Sequence, residues 1–532
     1  MTQSNTLRVG IVIGGGLLVG LYVIMMAFTD ATNTLGALAK YMAAISFILG
    51  VIAGRWAAYY LIFLSAFSDF FKRLLIEYGN PSLVDVSLVL GMAPLTCAGM
   101  FVAALLTTLV HFGERGRRDL PLILLTLIIG LMVLMYAVNS TTTMFGFLRT
   151  AANSATYVTL LVSIPRLFPS LADIKSLLMA IVWIYTLVAI YGIWQKAFGL
   201  AEFEIAYFES GLTTEVVRYY RYLQTGVLQV FSSLNSPRTL SAVMASCCAC
   251  LIFFGYYRKN WRFRGVFHIG ILLAMGMFIT CMVLTIARGG WLTFAVIFVS
   301  LVAFKYRVTT LAVYGSAVMG VVLLYTFSTT LLQNWDRYSS FQAESQAFRI
   351  STFSQRLLGF HNLRTNPDAW TLFGVPAEDR ESAGGTDVSG LDRSYGYLAK
   401  SKYFSHDALT KSIINYGIIP TGLVVLLVAV LLWRMHSYVF RARSREMRTA
   451  LRVLLALLFG NLAGGLTTSN FIAVFPINVF VWLFLASLIS VVRLSILEIE
   501  LVGRAERAER VRPKLDQPLP GPVEGLQQGP SI

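Results

Sequence analysis

Apolar residues in this chain are gathered into long runs, and short polar stretches separate the runs. A run of about 20 apolar residues is long enough to cross the hydrocarbon core of a bilayer as a helix, which satisfies its own backbone hydrogen bonds away from water. The pattern therefore predicts an all-α polytopic membrane protein with about fourteen transmembrane helices. The runs fall near residues 9–28, 36–54, 56–68, 86–110, 120–138, 152–168, 174–197, 236–257, 264–286, 290–304, 309–331, 412–433, 450–468 and 471–493.

The charges between the runs predict which side of the membrane each loop faces. Cytoplasmic loops carry an excess of Lys and Arg, and the turns at 258–264, 305–307 and 434–448 are strongly basic. Residues 333–405 carry eight basic and eight acidic side chains, a balance that a translocated loop allows. An even number of crossings with both termini in the cytoplasm fits every basic turn except the one near Lys72. The large loop, about 333–411, is therefore predicted to lie outside.

Composition supports the membrane class and indicates where the membrane domain ends. Hydrophobic residues make up 56% of the chain and charged residues 13%, and the net charge of +16 is best explained by basic cytoplasmic turns that face lipid headgroups, not by nucleic acid. Residues 1–502 are predicted to form the membrane domain, with helices over 8–331 and 412–493. Residues 503–532 are charged and then rich in Pro, Gly and Gln, which predicts a disordered cytoplasmic tail. All five cysteines lie in apolar runs and indicate small buried side chains, so no metal or cofactor is expected.

The polar stretch that begins at Lys402 runs directly into the apolar run at 412–433, and it contains His406 and Asp407. A histidine changes charge near neutral pH, so small changes in its surroundings alter its state. A titratable side chain at the mouth of a transmembrane helix indicates either a functional group or one of the many interfacial residues that anchor a helix end. His406 is our first candidate functional residue.

Four arginines are the other candidates on the predicted external face. Arg288 stands between two apolar runs, where it indicates either a ligand-binding group or an interfacial arginine whose guanidinium extends to water. The two glycines after it leave room for a ligand to approach the backbone. Arg238 begins another run. Arg349 and Arg356 are seven residues apart, about two helical turns, so they share one helix face that either binds a ligand or is solvated.

The order of these residues resembles one known family. Residues 286–291 (Ile-Ala-Arg-Gly-Gly-Trp) are similar to its Ser-Arg-Gly signature, and 235–239 (Asn-Ser-Pro-Arg-Thr) to its Asn-Pro-Asn start of a span. Arg349 and Arg356 followed by 370–374 (Trp-Thr-Leu-Phe-Gly) are similar to the helix and glycine turn of its large periplasmic loop. His406-Asp407 with Gly417 ten residues further on is similar to its His-Asn-x9-Gly motif. Over roughly residues 230–435 the chain resembles the O-antigen ligase and O-antigen polymerase superfamily.

The chain departs from the ligase pattern at two positions. Asp407 replaces the usual Asn or Ser, and Pro420 stands where the ligases often have a second glycine. His361-Asn362 also spells His-Asn, but the residue after nine intervening positions is Leu372 and not a glycine, so it ranks below His406. The departures favour a polymerase over a ligase.

The resemblance implies a GT-C-like glycosyltransferase in the bacterial inner membrane that moves a glycan from undecaprenyl diphosphate to a sugar hydroxyl. It implies catalytic roles for His406 and Arg288, and binding of the diphosphate or glycan by Arg238, Arg349, Arg356 and Asp407. Membrane lipids, a chain-length regulator and a flippase of the same pathway are the expected partners. A transporter would place the arginines along a central path, and a scaffolding membrane protein would leave His406 without a function.

Overall fold

A computed structural model describes residues 34–79, 81–110, 114–140, 144–210, 228–257, 264–305, 360–376, 408–467 and 474–515. These residues form helices and no strand, which confirms the predicted all-α class. Among them, six helices are long and apolar enough to cross a membrane, at 84–108, 171–198, 237–254, 418–441, 445–465 and 477–503. The arrangement fits a multi-pass membrane protein. The apolar runs at 9–28 and 309–331 lie outside the described residues.

Fifteen α-helices are labelled here in chain order within the described ranges. They are α1 Thr34–Ile52, α2 Arg55–Gly79, α3 Leu83–Val110, α4 Glu114–Ser140, α5 Met144–Ala155, α6 Leu160–Leu167, α7 Leu171–Phe198, α8 Glu202–Glu209, α9 Pro237–Tyr257, α10 Arg264–Leu284, α11 Arg288–Lys305, α12 Ala408–Tyr416, α13 Ile418–Arg441, α14 Arg445–Thr467 and α15 Ile477–Leu515.

Several helices differ from the predicted runs. Helix α2 continues to Gly79 instead of ending near residue 68, because its charged residues are buried and paired. The run at 152–168 is divided by a 3-10 turn at Thr156–Thr159. The run at 412–433 is divided at Gly417, where α12 ends and α13 begins. Helix α15 continues through Gly503, where we placed the start of the tail, to Leu515.

Helices α9 and α15 lie at the centre of the bundle. Their membrane-spanning parts are 89% and 83% buried, whereas only 22% of the corresponding part of α13 is buried. Helix α9 packs against α10, α11 and α14, and α15 packs against α14 and α6. The five cysteines are buried and free, as their positions in apolar runs predicted. Because α13 is mostly uncovered, it is a peripheral helix whose apolar surface suits contact with lipid.

Polar contacts sort the helix ends into two groups. At one end, which we call the Arg55 end, Arg55 pairs with Asp173 at 2.6 Å and Lys175 with Glu446 at 3.5 Å. At the other, the Arg73 end, the Val230 amide donates to the carbonyl oxygen of Leu284 at 3.4 Å. The end of α2 and the starts of α9, α11 and α15 lie together at this Arg73 end. The residues around Arg238 and Arg288 lie at this end.

Candidate functional site

A small cavity lies where α9, α11, α14 and α15 meet at the Arg73 end. It measures about 10 Å³, roughly the space that one water molecule needs. It is lined by Arg238, Ala242, Gly289, Thr293, Asn461, Gly464, Gly465 and Ile477. Two of the predicted motifs, the one around Arg238 and the one around Arg288, therefore reach the same place in the fold.

The start of α9 is fixed by its own sequence. The backbone N–H of Thr239 donates to the Ser236 hydroxyl at 3.3 Å, so Ser236 caps the helix. Pro237 occupies the first helical position, where its missing N–H costs nothing. The Asn235 side-chain amide donates to the carbonyl oxygen of Phe475 at 3.0 Å and ties this start to the segment before α15. Arg238, half-buried, is thereby held in the first turn.

The start of α11 follows a tight turn after α10. The Thr285 hydroxyl donates to the carbonyl oxygen of Met282 at 2.7 Å and accepts from the Ala287 N–H at 3.2 Å. Ile286 has a φ of 55°, a conformation that a β-branched residue adopts only when its surroundings impose it. Arg288 is the first residue of α11. The turn therefore sets the backbone position of Arg288, immediately before the cavity-lining Gly289.

Of the two glycines after Arg288, only the first lies at the cavity. A Cβ atom on Gly290 would lie 1.8 Å from the Ser241 hydroxyl oxygen, so α9 and α11 are in close contact there. The space that we expected a ligand to use is therefore filled by protein at Gly290. A Cβ atom on Gly464 would similarly lie 2.4 Å from the Thr293 hydroxyl oxygen. Small residues thus bring three helices close together around the cavity.

The electrostatics of this place favour an anion. Helices α9, α11 and α15 all begin here, and the dipole of a helix places about half a positive charge at its N-terminus. Arg238 adds a full charge, and none of the described residues that line the cavity is acidic. Phosphate groups are bound at helix N-termini for this reason. A phosphate group is larger than the cavity. An oxyanion held by this arrangement would therefore lie at the mouth of the cavity.

A buried arginine, which we did not single out from the sequence, lies behind this site. The Arg73 Nη1 atom donates to Glu204 Oε1 at 3.1 Å and to the carbonyl oxygen of Ser232 at 2.7 Å, and Nη2 donates to the carbonyl oxygen of Leu234. Its guanidinium also lies 4.6 Å from the centre of the Phe231 ring. Arg73 and Glu204 are 2% and 0% exposed. Arg73 therefore holds the segment that leads into α9.

Gln195 completes the same network from α7. Its Nε2 atom donates to both oxygens of Glu204, at 3.0 and 3.1 Å. Its Oε1 atom accepts the backbone N–H groups of Phe231 and Ser232, at 3.1 and 2.9 Å. Ser232 has a φ of 56°, and its hydroxyl donates to the carbonyl oxygen of Val188 at 2.6 Å. These bonds hold residues 231–234 against α2 and α7, only a few residues before Arg238.

The contacts of Lys72 explain why the basic residues near it are the one exception to the predicted topology. Its ammonium group bonds to Asp69 at 2.8 Å, and both side chains are buried. The ammonium also lies 4.7 Å from the centre of the Tyr207 ring. Because the two cations at 72 and 73 are each paired with a carboxylate, this end of α2 presents no excess positive charge. The signal in the sequence was three charged residues at spacings of three and four within an otherwise apolar helix.

The glycine turn at 370–374 contacts Gly417, the last residue of the motif that begins at His406. Gly417 has a φ of 88°, and the backbone N–H groups of Ile418 and Ile419 donate to the carbonyl oxygens of Thr371 and Leu372, at 3.0 and 3.3 Å. The glycine turn at 370–374 is thus docked on the Gly417 break. Helix α12 connects this joint to Ala408, the residue that follows Asp407.

The structure brings some of the predicted site residues together and leaves others out. Arg238 lines the cavity, and Arg288 starts α11 beside it. The remaining four candidates lie outside the described residues: Arg349, Arg356, His406 and Asp407. Within the described part of the chain, no group of three His, Cys, Asp or Glu side chains is placed to hold a metal. A scan against protein-family models and a search of curated proteins each found no match.

Proposed function

We propose that this chain is a membrane glycosyltransferase that transfers a glycan from undecaprenyl diphosphate to a sugar hydroxyl, and that it polymerises O-antigen or exopolysaccharide repeat units. The observation that carries the proposal is the cavity at the Arg73 end. There the N-termini of α9, α11 and α15 meet, with Arg238 in the first turn of α9 and Arg288 as the first residue of α11. This is a surface that would attract a diphosphate.

The proposed reaction requires positive charge at the diphosphate and a base for the acceptor hydroxyl. The diphosphate is already a good leaving group, so the transition state needs positive charge where phosphate charge develops. Arg238 and Arg288 would supply it with the bidentate geometry of guanidinium groups, and Arg349 and Arg356 would bind further phosphate or sugar groups. His406 would remove the proton of the acceptor hydroxyl, and Asp407 would bind the glycan beside it. In this scheme the positive charge at the diphosphate comes from arginines, and the proposed reaction uses no metal ion.

The proposed orientation puts the Arg73 end outside the bacterial inner membrane, with a GT-C-like arrangement of about fourteen crossings and both termini in the cytoplasm. Arg238 and Arg288 both stand in the first turn of a helix, at the end of the bundle and not midway along it. A transporter would require arginines along a central path, so this position favours an enzyme at the membrane surface. A flippase and a chain-length regulator of the same pathway would supply the donor and limit the product.

A deletion strain distinguishes the two enzyme types. Loss of long chains, with single repeats retained on lipid A, is expected for the polymerase. Undecorated core with long chains retained on the carrier identifies a ligase instead. The preference for the polymerase rests on Asp407 and Pro420, where the chain departs from the ligase pattern.

Purified protein in lipid nanodiscs tests the catalytic assignment. His406→Ala should still bind the lipid-linked donor but transfer it about 10²- to 10⁴-fold more slowly, the usual cost of losing a general base. His361→Ala is the matched control and should retain activity. Near-normal transfer by His406→Ala on equal amounts of donor would remove His406 from the mechanism.

A further inference from the structure

The joint between α12 and α13 is closed by a segment from elsewhere in the chain. The first backbone N–H groups of a helix have no partner within the helix. In α13 the N–H groups of Ile418 and Ile419 donate to the carbonyl oxygens of Thr371 and Leu372, Pro420 has no N–H, and the N–H of Thr421 donates to the carbonyl oxygen of Gly417 at 3.3 Å. Every N–H of this first turn is therefore accounted for without water.

Complete satisfaction of these groups matters at the depth of a membrane. Within hydrocarbon an unsatisfied backbone group costs several kcal/mol, so irregular backbone is tolerated there only when other protein groups satisfy it. A helix that starts in water needs no such arrangement, because water accepts hydrogen bonds from its free N–H groups. The carbonyl oxygens at 371 and 372 thus permit α13 to begin below the water interface.

The side chains of the closing segment are apolar and exposed. Leu372 is 57% exposed and Phe373 is 50% exposed. The hydrogen bonds above place them beside Ile418 and Ile419, which are exposed too, and the exposed apolar surface continues along α13 at Leu423. Because α13 is a peripheral helix of membrane-spanning length, this patch continues a surface that already suits lipid.

The other side of the same segment is different. Leu363, Ala369 and Val375 are buried against Ile414 of α12, which anchors residues 360–376 to the bundle. The exposed positions before the turn include three polar side chains, Arg364, Thr365 and Asp368, which we call the polar end, as well as Pro367. The segment therefore has a docked face, a polar end and an apolar tip.

We propose that residues 370–373 form a membrane-inserted turn, in which Leu372 and Phe373 contact lipid acyl chains while the backbone carbonyls of Thr371 and Leu372 close the N-terminus of α13. The turn makes the long loop a membrane-anchored structure at this point. Helix α12 has nine residues and is about 13 Å long at 1.5 Å per residue. The insertion itself does not depend on the proposed function.

Site-specific fluorescence in liposomes tests the insertion. Phe373→Cys and, as a matched control on the polar end, Thr365→Cys are labelled with bimane in the full-length protein, whose five native cysteines are buried. The liposomes contain phosphatidylethanolamine and phosphatidylglycerol, with or without lipids that carry a nitroxide on the acyl chain. Both positions are exposed, so neither change removes core packing.

Bimane at 373 is expected to be quenched by the nitroxide lipid and to be several-fold less sensitive than bimane at 365 to iodide in the water. Equal sensitivity to iodide at the two positions would overturn the proposal, because the tip would then lie in water. Protection of position 373 from both quenchers would also overturn it, since protein would then cover the tip. Leu372→Cys repeats the measurement if Phe373→Cys fails to reconstitute. Donor transfer measured on the same samples is a separate result that tests the proposed function alone.

Discussion

Replacing Gly417 by alanine should open the joint between α12 and α13. Gly417 has a φ of 88° and a ψ of 174°, a backbone region that is essentially reserved for glycine. A Cβ atom there would lie 2.3 Å from the carbonyl oxygen of Leu372 and 2.4 Å from the amide nitrogen of Phe373. Both are backbone atoms, so no side-chain rotation relieves the overlap. The docked segment must move, and its hydrogen bonds to Ile418 and Ile419 must break.

The size of the effect follows from these losses. The strained conformation costs about 1–3 kcal/mol, and two broken hydrogen bonds cost about 0.5–1.5 kcal/mol each, so the joint should be destabilised by roughly 2–6 kcal/mol. Since about 1.4 kcal/mol corresponds to a factor of ten, even the lower limit means roughly a 30-fold increase in local opening.

Gly422→Ala is the matched control. Gly422 lies in α13, five positions after Gly417, and a Cβ atom there would meet nothing within 4 Å. Alanine in a helix interior is favoured over glycine by about 0.8–1 kcal/mol, so this change should stabilise α13 slightly. Hydrogen exchange of the peptide that contains Ile418 and Ile419 is the measurement. Unchanged exchange in Gly417→Ala would show that the segment does not hold the joint, and our account of the break would be wrong.

Three further changes test other parts of the structure. Glu204→Gln leaves a buried guanidinium without its anion, so it should lower the free energy of unfolding by about 3–5 kcal/mol. The thermal midpoint should fall in this variant but not in the exposed control Glu202→Gln, and equal midpoints would contradict the buried pair. Gly290→Ala should cost about 1–3 kcal/mol through overpacking of α9 on α11, whereas Gly276→Ala, which meets nothing within 4 Å, should not destabilise the protein. Arg238→Lys keeps the charge but loses the fork, so it should weaken binding of the lipid-linked donor; unchanged binding would remove Arg238 from the site.

The sequence was sufficient to predict the helical class and the positions of most described helices, because long apolar runs have few alternatives in lipid. It failed at the end of α2. There Lys72 and Arg73 look like the end of a span, and only their buried partners explain why the helix continues. The failure at Gly417 has a related cause. A glycine is tolerated in a continuous helix, and the contact with Leu372 that breaks this one comes from another part of the chain.

The candidate site was predictable only in part. Ser236 and Pro237 are local helix-start signals, so the place of Arg238 at the beginning of α9 could be inferred from its neighbours. That α11 and α15 begin beside it depends on packing between distant helices. The roles of Gln195 and Glu204 were also hidden, because each is an ordinary polar residue until the fold places it against residues 231–234.

The pairing of Arg73 with Glu204 has a consequence for biosynthesis. The two residues are 131 positions apart, and at roughly 5–20 residues per second a ribosome needs about 7–26 s to travel between them. During that interval α2 is complete while the carboxylate that will bind its arginine does not yet exist. Asp69, one turn away, is already present, but in the folded protein it pairs with Lys72. The first helices of the bundle therefore reach their final electrostatic state only when α8, which follows the seventh helix described here, leaves the ribosome.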